Sequence, residues 1–166
     1  MTHYLISIRR SLLSMGVALV SLTSPLQADL GQALKEVDWE GMIGTWVDAE
    51  TKGERFKTTY AWKFEGKLIE VTSKMGQTQN VSLMGMNSEN EDVVMSGGNS
   101  KGGIHHGKWS MDGKDAILEV EYVKENGESG AMKIRYHQVS EDEIKMTLTP
   151  PDGGDTYEFN IVRLKK

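Results

Sequence analysis

From Phe56 onward, apolar and polar residues alternate with a period of two. Phe56, Thr58, Tyr60, Trp62 and Phe64 alternate with Lys57, Thr59, Ala61 and Lys63. That spacing predicts a strand with an aromatic inner face and a polar outer one. The same period runs through Ile69, Val71, Ser73 and Met75, and through Ala116, Leu118, Val120 and Tyr122. It returns in Met132, Ile134, Tyr136 and Gln138, in Ile144, Met146 and Leu148, and in Tyr157, Phe159 and Ile161. Between these runs stand Glu65-Gly66, Asp112-Gly113, Asn126-Gly127 and Asp152-Gly153-Gly154, glycines where a tight turn needs positive φ. Connections this short join antiparallel neighbours. The expected fold is all-β, an antiparallel up-and-down meander barrel of about eight to ten strands, with a two-sheet sandwich as the alternative. Ahead of the strands, Leu30, Leu34 and Val37 fall on one helical face, so a short N-terminal helix is expected, with Asp29 and Gln32 spaced as a capping box.

The first residues follow a different pattern. Arg9 and Arg10 precede an apolar run over 12–22, then TSPLQA ending in the small Ala28. This is the layout of a signal peptide, and the run is too short to span a bilayer. Residues 1–28 are therefore expected to be cleaved, residues 29–166 to form the barrel domain, and the mature protein to be periplasmic or secreted. RRSLL loosely matches a twin-arginine signal, but an ordinary positive n-region explains it as well. The chain has no cysteine, which excludes disulfides, thiolate metal sites and a lipoprotein anchor. Its formal charge is −5, and loss of Arg9 and Arg10 with no acid takes the mature chain to −7. That balance argues against nucleic acid and anionic membranes as partners.

The stretch SGGNSKGGIHHGKW, residues 96–109, raises the question of a metal site. Neighbouring residues of a strand point to opposite faces. His105 shares a face with Trp109 and Met111 and is expected inward; His106 and His137 are expected outward. The inner faces of the strands named above contain no Asp, Glu or Cys, so a zinc site cannot be completed and neither metal nor cofactor is expected. The acids Glu70, Glu119, Glu121 and Glu158 fall on the polar face, which leaves no facing carboxylate pair for acid–base chemistry and no catalytic set to name. The run Gly97-Gly98-Asn99-Ser100-Lys101-Gly102-Gly103 has no phosphate-loop pattern and reads as a mobile loop, a portal if it lies at a rim.

Gly44-Thr45-Trp46, just after the short helix, resembles the G-x-W of the lipocalins and their wider calycin relatives, in particular the secreted bacterial lipocalin-like domains. The resemblance implies that Trp46 closes the base of the barrel and that an arginine of the last strand crosses its ring. Arg163 has the parity to be that arginine, and both residues are structural on this reading. The T-D-Y type motif and the usual disulfide of the family are absent. Haem-binding calycin relatives also carry G-T-W, but Val47-Asp48-Ala49-Glu50 lacks their glycine-rich continuation.

The reading adopted is an exported binding protein for a small hydrophobic or amphipathic ligand held in the barrel. Ten methionines less Met1 and Met15 leave eight in the mature chain, side chains that adapt to irregular ligands. The cavity residues expected are Tyr60, Trp62, His105, Trp109, Met132 and Tyr136. Two alternatives stay open. One is a non-catalytic envelope module that binds protein or glycan through the outer stripe Lys133, Arg135 and His137; the other is an enzyme with His105 as a lone base and Tyr60, Tyr122 or Tyr136 as proton donor.

Overall fold

The computed structural model describes residues 29–165; the expected signal peptide lies outside them. Helix α1 (Leu30–Glu36) and a 3₁₀ turn (Glu40–Met42) precede ten strands. These are β1 (Gly44–Asp48), β2 (Phe56–Phe64), β3 (Leu68–Met75), β4 (Thr78–Met86) and β5 (Val93–Asn99). The second half comprises β6 (Ile104–Asp112), β7 (Asp115–Val123), β8 (Ser129–Ser140), β9 (Glu143–Thr149) and β10 (Tyr157–Arg163). Each strand pairs antiparallel with the next, and β1 pairs with β10, so the meander closes into a barrel and the sandwich is excluded. Among the described residues no helix is long and apolar enough to cross a membrane.

The alternation places the core as expected. Tyr60, Ile69, Val71, Leu118, Tyr136 and Met146 are buried inside. The outer acids pair with lysines, Glu70 with Lys63 at 3.1 Å, Glu119 with Lys133 at 3.4 Å and Glu158 with Lys145 at 2.8 Å. The turn glycines Gly113 and Gly127 adopt φ of 62° and 86°. Two details depart from the sequence pattern. Phe64 is 64% exposed, because a register shift between Trp62 and Phe64 breaks the alternation at the end of β2. The glycine run is divided: Gly97, Gly98 and Asn99 belong to β5, while residues 100–103 form the turn, where the Asn99 side chain accepts from the N–H groups of Lys101 and Gly103 at 2.9 and 3.1 Å.

Closure is fastened at one point. Trp46 is 2% exposed and lies opposite Arg163 in the β1–β10 register, with the guanidinium 4.3 Å from its ring centroid. The same guanidinium donates to the carbonyl of Ile43 at 3.0 Å, to those of Gly41 and Glu141, and to Asp142 at 3.1 Å. The indole N–H of Trp46 donates to Met42 O at 2.9 Å. One side chain thus ties the 3₁₀ turn, the start of β1, the β8–β9 turn and the end of β10.

Helix α1 is a strap across this same end of the barrel. Asp29 caps it by accepting from Gln32 N at 2.8 Å; the Gln32 side chain turns to Glu36 instead, so only half of the expected capping box forms. The strap is moored on one side by Gly31 N to Gly66 O at 3.0 Å, in the β2–β3 turn. On the other side Trp39 Nε1 donates to Lys114 O at 3.1 Å, in the β6–β7 turn. Leu30 and Leu34 bury its inner face.

Replacing Arg163 with Met keeps most of the stem volume but removes the charge and its donors. We expect a loss of about 2–4 kcal/mol in urea unfolding, from charged hydrogen bonds and the ring contact together. A change within about 0.5 kcal/mol, the scale of a surface substitution, would show that closure does not depend on this residue.

Candidate functional site

The register sorts the barrel interior into two halves. Toward the strap, the inner residues are apolar: Met84, Met95, Leu118, Ile144, Met146 and Ile161. Toward the far end they become mixed, with Phe56, Leu148 and Phe159 beside polar side chains. Thr58 and Ser82 are buried there, and Asn80 Nδ2 donates to Ser73 Oγ at 3.2 Å. Between the halves, the hydroxyls of Tyr60 and Tyr136 face each other from β2 and β8. Burial raises the pKa of both, so both remain phenols; the mutual hydrogen bond and Thr58 act on Tyr60 in the opposite sense without overcoming it.

At the polar end, Ser82, Gly97 and His105 are consecutive partners on β4, β5 and β6. Strands two apart are separated by about 10 Å, too far for small side chains to meet across an ordinary middle residue. Gly97 removes that obstacle. A Cβ built on it would lie 2.6 Å from Ser82 Oγ, and without it Ser82 Oγ and His105 Nε2 meet at 2.7 Å over the glycine. Ser82 is 4% exposed and His105 half-buried. Burial lowers the His105 pKa from its usual 6.5, so the imidazole is neutral near pH 7. His106 is on the outside with Ser96 Oγ at 2.7 Å from its Nδ1, and His137 lies outside against Asp115 at 2.8 Å. The two adjacent histidines therefore belong to different faces, and no group of three or more His, Cys, Asp or Glu comes together among the described residues.

The inner faces do hold one acid outside the strands read from the sequence pattern. Asp48, at the end of β1, is 2% exposed and accepts from Thr51 N at 2.7 Å, Thr51 Oγ1 at 2.6 Å, Gly53 N at 3.2 Å and Phe56 N at 3.1 Å. Burial works to raise its pKa, but these donors outweigh it and hold the carboxyl at about 2. It organises the β1–β2 loop and has no free valence for a ligand.

At the other end, a cleft of about 120 Å³ opens between the strap and the barrel wall. Val37 and Met111 form its rim, Leu34 and Trp39 one wall, Trp109 the other, and Met84, 1% exposed, lies among its innermost lining residues. No lining residue carries a charge. Trp109 stacks against Tyr136 with ring centroids 5.1 Å apart. Its Nε1 is the one buried side-chain polar atom among the described residues that has no hydrogen-bond partner. A buried donor left unpaired costs on the order of 1–3 kcal/mol, and a native structure rarely tolerates one without a reason.

The six residues expected to share a cavity are distributed over several places. Trp109 lines the apolar cleft and touches Tyr136; Tyr136 meets Tyr60 in the core. Trp62 lies on the opposite flank of α1, in a wider cleft with Lys35, Glu40 and Glu65. His105 is at the polar end, and Met132 borders a cleft with Lys108, Glu119 and Lys133. Ser82 and Met84, the residues that complete the two sites, were not legible as site residues. No family model matches the chain, and no curated protein matches it.

Gly97→Ala should cost about 2 kcal/mol by overpacking and drive Ser82 from His105. A crystal structure of the variant with the 2.7 Å contact intact would contradict the role given to the glycine. The His105 pKa is depressed in the fold, so its contribution to stability is complete above pH 6.5 and is lost as pH falls from 6.5 toward the folded value. Thermal unfolding between pH 7 and 5 should therefore show a slope that His105→Gln flattens; an unchanged slope would place the titration elsewhere.

Proposed function

We propose that the protein is an exported carrier or sensor of a small hydrophobic or amphipathic molecule. The observation that supports this reading best is the cleft at the strap end: an uncharged, largely apolar recess reaching the core and lined in part by Trp109, whose buried indole N–H no protein atom satisfies. Ligand pockets combine an apolar lining with a few polar anchors in this way. The closed barrel supplies the rigid wall, and α1, tied only through its two ends and its apolar face, supplies a side that can yield. The leader pattern over residues 1–28 supports export, with Asp29 as the first residue of the mature chain.

The outer stripe proposed for an interaction module is less free than its sequence suggests. Arg135 donates to Asp112 and Asp115 at 2.6 Å each, His137 lies against Asp115 at 2.8 Å, and Lys133 is 3.4 Å from Glu119. Its positive charges are answered within the sheet. The enzymatic alternative gains Ser82 beside His105, but no hydrogen bond orients the second ring nitrogen of His105 among the described residues, so the pair lacks the third group that usually fixes a catalytic imidazole.

Native mass spectrometry of the protein recovered from its own periplasm, followed by denaturation, tests both halves of this proposal. The expected polypeptide begins at Asp29 and carries a stoichiometric apolar small molecule. A bare polypeptide that shows no thermal shift with fatty acids, isoprenoids or small aromatics would contradict the carrier reading. A chain still bearing residues 1–28 would contradict export with cleavage.

A further inference from the structure

We propose that the cleft between α1 and the wall of β5 and β6 takes a small uncharged molecule, a single ring or a short chain, that carries one hydrogen-bond acceptor directed at Trp109 Nε1. This rests on the ligand-binding reading and narrows it to a site and a chemical class.

Three observations set the class. The first is size. The cleft measures about 120 Å³, somewhat under the roughly 150 Å³ of an apolar protein cavity that accepts benzene. A long acyl chain or a polycyclic ligand does not fit without displacing the strap. The second is charge. The lining contains no Asp, Glu, Lys, Arg or His, so an ionised ligand would be stripped of water and given no partner. The third is the donor. Of the two indoles in the lining, Trp39 already gives its N–H to Lys114 O at 3.1 Å, whereas Trp109 gives its N–H to nothing. The Trp109 ring packs against Tyr136 on β8, and its N–H has under 1 Å² of accessible surface, so an acceptor reaches it only as the methionines of the lining give way. A ketone, aldehyde, ester, ether or neutral alcohol of one-ring size meets all three conditions. A hydrocarbon of the same shape meets only the first two.

The sequence around the cleft is consistent with an occupant that enters past the strap. Val37 and Met111 at the rim are 39% and 38% exposed, apolar surface that a bound ring would cover. Methionines at both rim and floor adjust to the outline of a ligand without a change of backbone.

The test is a matched pair of ligands, acetophenone and ethylbenzene, titrated calorimetrically into the purified exported protein and into Trp109→Phe. Benzoate and palmitate serve as charged and long-chain controls. The expected result is that acetophenone binds at least about fivefold more tightly than ethylbenzene, the scale of one net hydrogen bond. That preference should vanish in Trp109→Phe while ethylbenzene binding stays within about twofold. Since the variant is open to misfolding, the Trp109 indole N–H resonance of the unsubstituted protein gives a second readout: acetophenone should shift it downfield and ethylbenzene should not. Equal affinities for the two compounds, with no downfield shift, would overturn the acceptor while leaving the small-ligand reading in place. Palmitate or benzoate bound in preference to both would overturn the size or charge class and keep the carrier reading. Binding of none of the four would overturn both.

Discussion

The contact on which the structure depends is the one that closes the sheet. A ten-strand meander left open would present two edges, each a row of unpaired backbone groups available to other chains. Pairing β1 with β10 removes both edges, and Arg163 across Trp46 holds that pairing while satisfying carbonyls from the 3₁₀ turn and the β8–β9 turn. With no disulfide to restrain the termini, side-chain burial and this one guanidinium fix where the first strand meets the last. The strap follows from the same geometry. The chain enters β1 through the 3₁₀ turn that Arg163 grips, so the residues before it are delivered directly across the barrel end.

Closure leaves an interior to be filled, and the two ends fill it differently. The strap end is packed with methionine, leucine and isoleucine, and its uncharged opening is the cleft between α1 and the wall of β5 and β6. The far end combines Phe56, Leu148 and Phe159 with hydroxyls, amides and an imidazole that pair with one another, Gly97 clearing the space in which Ser82 and His105 meet. Neutral His105 belongs to that logic: a half-buried imidazole next to a hydroxyl needs no counter-charge. The unsatisfied donor thus sits at the apolar end, where a missing partner is costly, and not at the polar end, where partners are plentiful.

Much of the fold was legible because six strands, β2, β3 and β7 to β10, carry the ordinary pattern, apolar inside and polar outside. The barrel, the short helix, the inward His105, the outward His106 and His137, and the ring contact of Trp46 with Arg163 all follow from parity and from the G-x-W resemblance. Strands β4 and β5 were not legible. On β4 the inward residues Thr78, Asn80 and Ser82 are polar while Val81 and Leu83 face solvent, 54% and 45% exposed. On β5, Gly97 and Gly98, the first glycines of the run that read as a loop, are strand trimmed for close approach, while Gly102 and Gly103 lie in the turn. These two strands carry Ser82, Met84 and Gly97, so both sites lost the residues that complete them. Phe64 was misplaced for a third reason, since a register shift is set by the neighbouring strand and leaves no mark in the local sequence. The cleft itself depends on how a seven-residue helix lies across the barrel, a matter of tertiary packing that periodicity does not encode.

The central claim is that the recess under α1 is a dry apolar space that admits a small guest. Xenon, which enters dry apolar cavities and asks nothing of their polar groups, tests that most directly. Crystals of residues 29–166 pressurised with xenon should show an atom between Leu34, Met84 and Trp109, with α1 displaced little or not at all. Xenon absent from that position, or bound only among the hydroxyls of the far end, would contradict the account.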